Sequence, residues 1–144
     1  MRNITLSLIS AICFLLIASL THAQDEPEGS VYVITTITVM TPDGGSMAEL
    51  DSLNQLYLEK LVVPNDKIVS QESMMHYYGS DSRDLVVVTE YANWCDIEGS
   101  EDVMDDLAKA AWPDDAERKA FFQKWNSYFK MHSDEIYRGV GSGK

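Results

Sequence analysis

Hydrophobic and polar residues alternate along this chain with two different periods, and each period predicts a different kind of element. Val31 to Met40 reads V-Y-V-I-T-T-I-T-V-M, ten residues of β-branched and aromatic character that predict a first strand. Thr41-Pro42-Asp43-Gly44-Gly45 ends it with turn chemistry. The period then lengthens. Met47, Leu50, Leu53, Tyr57 and Leu61 recur at three- and four-residue steps, with Asp51, Gln55 and Glu59 off the stripe, which predicts a helix ending before Pro64. Ser46 and Glu49 at its start match a capping box, in which each side chain satisfies an orphan backbone amide.

Ile68 to Tyr78 (I-V-S-Q-E-S-M-M-H-Y-Y) predicts a second, more polar strand, and Gly79 to Arg83 a hairpin loop. The densest apolar run follows at Leu85 to Val88, inside D-L-V-V-V-T-E-Y-A-N-W from Asp84 to Trp94. A strand apolar on both alternating faces is one covered on both sides, so this is the expected centre of a sheet. Val103, Met104, Leu107, Ala108 and Ala111 then mark a helical face beginning near Asp96, its first turn weakened by Gly99-Ser100. Trp112-Pro113 breaks the chain. Asp114 to His132 predicts the best-formed helix, with Asp114, Asp115 and Glu117 at its positive end, Lys130 at its negative end, and Phe121, Trp125, Tyr128, Phe129 and His132 along one face. Glu135 to Val140 predicts a short last strand.

The order is β-α-β-β-α-β with a split second helical region, the ferredoxin-like plan of the α+β class: a four-stranded antiparallel sheet with its helices on one face. Successive strand residues point to opposite faces, so Val31, Val33, Ile34, Ile37, Val39 and Val86 to Val88 cannot all meet the helices. The remaining face is expected to be apolar as well. A large exposed apolar face is normally an interface, which predicts a homodimer.

The N-terminal segment lies outside this pattern. Arg2, an apolar run from Leu6 to Leu20 and Thr21-His22-Ala23 read as a signal peptide over 1–23, cut before Gln24. The run is about 15 residues, short of the roughly 20 that span a bilayer. The expected organisation is a flexible leader at 24–30, one domain over 31–140 and a tail at 141–144. The protein is expected to be exported, periplasmic or secreted, with no membrane association after cleavage. Cys13 leaves with the signal, so Cys95 stands alone and no intrachain disulfide can form; the expectation for its thiol is burial. The net charge of −12 opposes nucleic acid binding.

Candidate chemistry is sparse. His76 shares a strand face with Met74 and Tyr78 and, if that face lined a cavity, could act as a base or as a metal or haem ligand; otherwise it is structural. Glu90, late in the central strand, is the second catalytic candidate, with pairing to Arg83 or a lysine as its structural alternative. Tyr78, Tyr91, Trp94 and Trp125 are the candidate ligand-binding aromatics. His76 and His132 lack the spacing of a metal pair, and the run Glu98, Glu101, Asp102, Asp105 and Asp106 lacks the ligand pattern of a calcium loop, so no metal is expected.

The stretch H-Y-Y-G-S-D-S-R-D-L-V-V-V-T-E-Y-A-N-W, His76 to Trp94, resembles the dimeric α/β-barrel superfamily, small ferredoxin-like domains whose sheets pair into a barrel. The resemblance extends over Val31 to Val140 and is closer to exported members without an assigned reaction than to any enzyme branch. The superfamily includes antibiotic-biosynthesis-type monooxygenases, haem-degrading enzymes, chlorite dismutase-like proteins and stress-responsive proteins. No residue pattern here carries over a family active site. The leading expectation is therefore an exported homodimer that binds a small, partly apolar ligand between helices and sheet without a cofactor. The alternatives are a cofactor-independent monooxygenase or haem-processing enzyme, and a pure interaction module with a filled interior.

Overall fold

The computed structural model describes residues 29–79 and 84–141. The expected signal peptide, most of the leader, the hairpin loop 80–83 and the end of the tail lie outside the described residues.

β1 (Val31–Val39) leads through the Pro42–Gly45 turn into α1 (Met47–Tyr57). Ser46 caps that helix, its hydroxyl accepting from the Glu49 amide at 3.1 Å. α1 continues into a π-helical turn, Leu58–Val62, closed by the Val63 amide donating to the Leu58 carbonyl at 2.9 Å. β2 (Ile68–Met75) and β3 (Asp84–Tyr91) form the hairpin. α2 (Cys95–Ala111) and α3 (Asp115–Asn126) make up the split helical region, and β4 (Phe129–Arg138) closes the chain. The sheet order is β2-β3-β1-β4 with every neighbour antiparallel, the ferredoxin-like topology. β3 lies inside the sheet beside β1, as the apolar run predicts.

The registers separate the two faces. Directly opposed residues share a face, and Val33, Ile37, Val39, Leu85, Val87 and Tyr91 point toward the helices. Val39 and Leu85 pack with Leu50 of α1 and with Tyr128 in the main core cluster. Tyr128 is fully buried and ties three elements together: its hydroxyl accepts from the Ser46 amide at 3.1 Å and donates to the Glu49 carboxylate, which also meets Lys124 at 3.0 Å. These donors hold the Glu49 carboxyl below its ordinary range, the tyrosine contributing most.

Three boundaries differ from the sequence pattern. The last helix ends at Asn126, so Tyr128, Phe129, Lys130 and His132 are not on it. β4 takes Phe129 to Arg138 because the second edge of β1 would otherwise carry unpaired backbone groups, and pairing along nearly all of β1 satisfies them. A register shift opposite Ile37–Val39 marks where the new strand adjusts. β2 ends at Met75, leaving His76 and Tyr78 past the strand. The Gly99-Ser100 pair does not interrupt α2; Ser100 is buried, and its carbonyl and hydroxyl each accept from the Asn65 amide at 3.0 Å. Cys95, expected to be buried, is exposed at the start of that helix. No helix among the described residues is long and apolar enough to cross a membrane.

Candidate functional site

Between the helix-facing side of the sheet and the three helices lies a cavity of about 270 Å³. The sheet contributes Val33, Ile37, Leu85 and Val87 as an apolar floor, with Gln71, Thr89 and Tyr91 on the β2–β3 side. The helices contribute Asn54 and Tyr57 of α1, Met104 of α2 and Trp125 of α3. No lysine, arginine, histidine, aspartate or glutamate lines it. Asn54 on α1 and Gln71 on β2 place polar side chains on the two otherwise largely apolar surfaces that meet here.

The polar groups in this cavity are arranged asymmetrically. The Trp125 indole donates to the Asn54 side-chain oxygen at 2.7 Å, and the Thr89 hydroxyl donates to the Gln71 side-chain oxygen at 3.3 Å. Both carboxamide oxygens are thus occupied, while the two amide nitrogens have no acceptor among the described residues. Tyr57 stacks on Trp125, with ring centroids 4.5 Å apart and planes 6° from parallel, and its hydroxyl donates to the Met104 sulfur at 3.2 Å, a weak acceptor. Burial, with the neighbouring Tyr91 adding to it, pushes the Tyr57 hydroxyl up to about 12. Burial also raises Tyr91, against a lowering hydrogen bond with Ser100. Both phenols stay protonated at neutral pH. The cavity is uncharged, and the Asn54 and Gln71 amide nitrogens are donors in its wall without an acceptor among the described residues.

Of the candidates read from the sequence, Tyr91 and Trp125 line this cavity and the others do not. Trp94 is 60% exposed and Tyr78 94% exposed. His76 continues the β2–β3 ladder through its amide to the Asp84 carbonyl at 2.9 Å, while ring Nε2 lies 2.7 Å from the Tyr78 carbonyl and Nδ1 has no partner among the described residues. Glu90 sits on the outer face, where it accepts from Tyr32 at 3.1 Å and Ser70 at 3.0 Å. A Ser30 hydrogen bond contributes most to lowering its carboxyl, followed by Ser70, with Tyr32 weaker. Its partners are hydroxyls, where a basic side chain was expected. Six ladder positions separate Ser70, opposite Glu90, from His76, about 20 Å at roughly 3.3 Å per residue, so the two side chains do not lie together within one chain.

The residues missed from sequence are Asn54, Tyr57 and Gln71. Asn54 carried a readable signal: it lies four residues from Leu50 and three from Tyr57, on the buried stripe itself. Among the described residues no group of three or more histidine, cysteine, aspartate or glutamate side chains is placed to hold a metal. Haem does not fit the cavity either: the volume is below the roughly 300–1,000 Å³ of sites for larger ligands, and His76, the proposed iron ligand, lies off it.

No family model matches the chain, and no curated protein matches it in sequence. Solved structures do match in shape. A candidate antibiotic biosynthesis monooxygenase of Caulobacter crescentus superposes with a TM-score of 0.52 at 14% identity, covering 83% of this chain and 98% of its own. A candidate of the same kind from Nitrosomonas europaea gives 0.51 at 12% identity, covering 78% of this chain and 92% of its own. At these identities the likeness is one of fold alone, and the fold of this chain is ferredoxin-like.

Proposed function

We propose that this protein is an exported homodimeric binding protein for a small, planar, uncharged molecule bearing hydrogen-bond acceptors such as carbonyl oxygens. The observation that carries this reading is the charge-free cavity, where the Asn54 and Gln71 amides are left as donors and a stacked tyrosine–tryptophan pair forms one wall. An apolar cavity near 150 Å³ holds one benzene ring. A volume of about 270 Å³ therefore suits a bicyclic ligand. A charged ligand would lose its hydration without gaining a partner.

Calorimetric titration with coumarin, a bicyclic carbonyl compound, and with coumarin-3-carboxylate tests this. Coumarin should bind the native protein and lose affinity when Val87→Phe fills the cavity floor, while the carboxylate should bind more weakly. Equal affinity for the two compounds, or no response to Val87→Phe, would remove the cavity from the account.

The names of the two structural neighbours favour a second reading, a monooxygenase reaction. The cavity weighs against it, since a general base works best with a pKa near the operating pH and Tyr57 is held near 12. An oxygenase built on this site would have to take a substrate that ionises without help. Oxygen uptake with a phenolic substrate would support it, and loss of that uptake in His76→Ala would assign His76 the role of base.

A further inference from the structure

The inner cavity shares a wall with a second depression of about 670 Å³ on the helical side, between α2 and α3. Tyr57, Met104 and Trp125 line both spaces, one side chain from each helix. The three are not held equally. Trp125 is fixed by its hydrogen bond to Asn54 and by an edge contact with Phe129, ring centroids 4.8 Å apart. Tyr57 is fixed by stacking and by a hydroxyl that reaches only a thioether. The backbone is also irregular at this point: α1 passes into its π-helical turn directly after Tyr57, and single π-helical turns recur at functional sites. The Gln123 and Asn126 side chains form part of the rim of the outer depression and do not line the inner cavity.

We propose that ligands reach the inner cavity from this outer depression, passing between α2 and α3, with the Tyr57 side chain as the gate. This rests on the ligand-binding reading above. Opening breaks the weakest polar contact in the wall and slides one ring off its stacking partner, leaving the indole–carboxamide bond in place. The rival route runs past Ser73 and Gln71 on edge strand β2, which also line the cavity.

Stopped-flow tryptophan fluorescence with coumarin as the probe separates the routes. Gln123→Phe and Asn126→Phe narrow the outer depression without touching the cavity, and Ser73→Phe narrows the edge route. Each of the first two should slow association and dissociation together by severalfold, leaving the equilibrium affinity within about twofold. Tyr57→Phe, which keeps the ring and removes the latch, should speed both. Slowing by Ser73→Phe with no effect of either rim variant would assign access to the sheet edge and overturn the gate. Unchanged rates in all the variants would overturn it too. A native protein that binds no coumarin would remove the ligand reading itself, and the gate with it.

Discussion

Asn54 shows how one side chain can decide what a cavity recognises. Its oxygen is committed to Trp125, so its nitrogen is what a ligand would meet. Asn54→Ala leaves the part-buried indole without its acceptor and should lower stability by about 1 kcal/mol, read as a shifted urea midpoint. Coumarin affinity should fall in the same variant. Glu90 makes a prediction of another kind. Its carboxyl is depressed below the ordinary 4.5 by hydroxyl donors, so its contribution is fully present above that value and is lost as pH falls through the lower folded-state value. Acid titrations of stability should therefore show a shallower loss below about pH 4.5 in Glu90→Gln than in the native protein. At this scale the sequence was informative about residue type and poor on location. Tyr91 and Trp125 could be recognised as candidates because large aromatics near strand and helix ends wall cavities. His76 could not be placed, because its position depends on where β2 stops.

The elements whose patterns stand alone were the most legible. β1, α1 with its serine cap, and β3 follow from local periodicity and turn chemistry, and the structure places them there. Ser46→Ala should cost about 1 kcal/mol, and Leu50→Ala, at a position with no exposure under the sheet, about 2–5 kcal/mol by chemical denaturation. The end of α3 was not legible. Phe121, Trp125, Phe129 and His132 continue a helical spacing past Asn126, and nothing local contradicts it. The competing demand comes from β1, whose open edge is ninety or more residues away in sequence, and backbone pairing there overrides the helical pattern. The π-helical turn was likewise hidden, since the stripe through Tyr57 and Leu61 fits an ordinary α-helix.

For the whole molecule, the sheet face away from the helices is apolar only at its centre. The outer face has an apolar centre in Ile34, Val86 and Val88, with Met74 beside them 42% exposed, but it is ringed by Glu72, Asp84, Glu90 and Glu135. Four strands about 4.8 Å apart and about eight residues long span roughly 500 Å² in plan. Side-chain relief brings that toward the roughly 800 Å² per partner of a standard interface. Two such faces pressed together would oppose carboxylates with few cations, so the proposed dimer should tighten as salt rises, the reverse of an interface held by ion pairs. Sedimentation velocity at low and high salt checks this, and Val88→Lys should yield a folded monomer at either. A Val88→Lys protein that still dimerises would move the interface elsewhere.

The cavity remains the centre of the account, and the three indoles, Trp94, Trp112 and Trp125, give it a direct readout. In a proton–nitrogen correlation spectrum of the isotopically labelled protein, adding coumarin should shift the Trp125 indole resonance, whose proton lies in the cavity wall, and leave the exposed Trp94 signal still. A spectrum in which no indole moves, or in which Trp94 alone responds, would contradict a ligand site between sheet and helices.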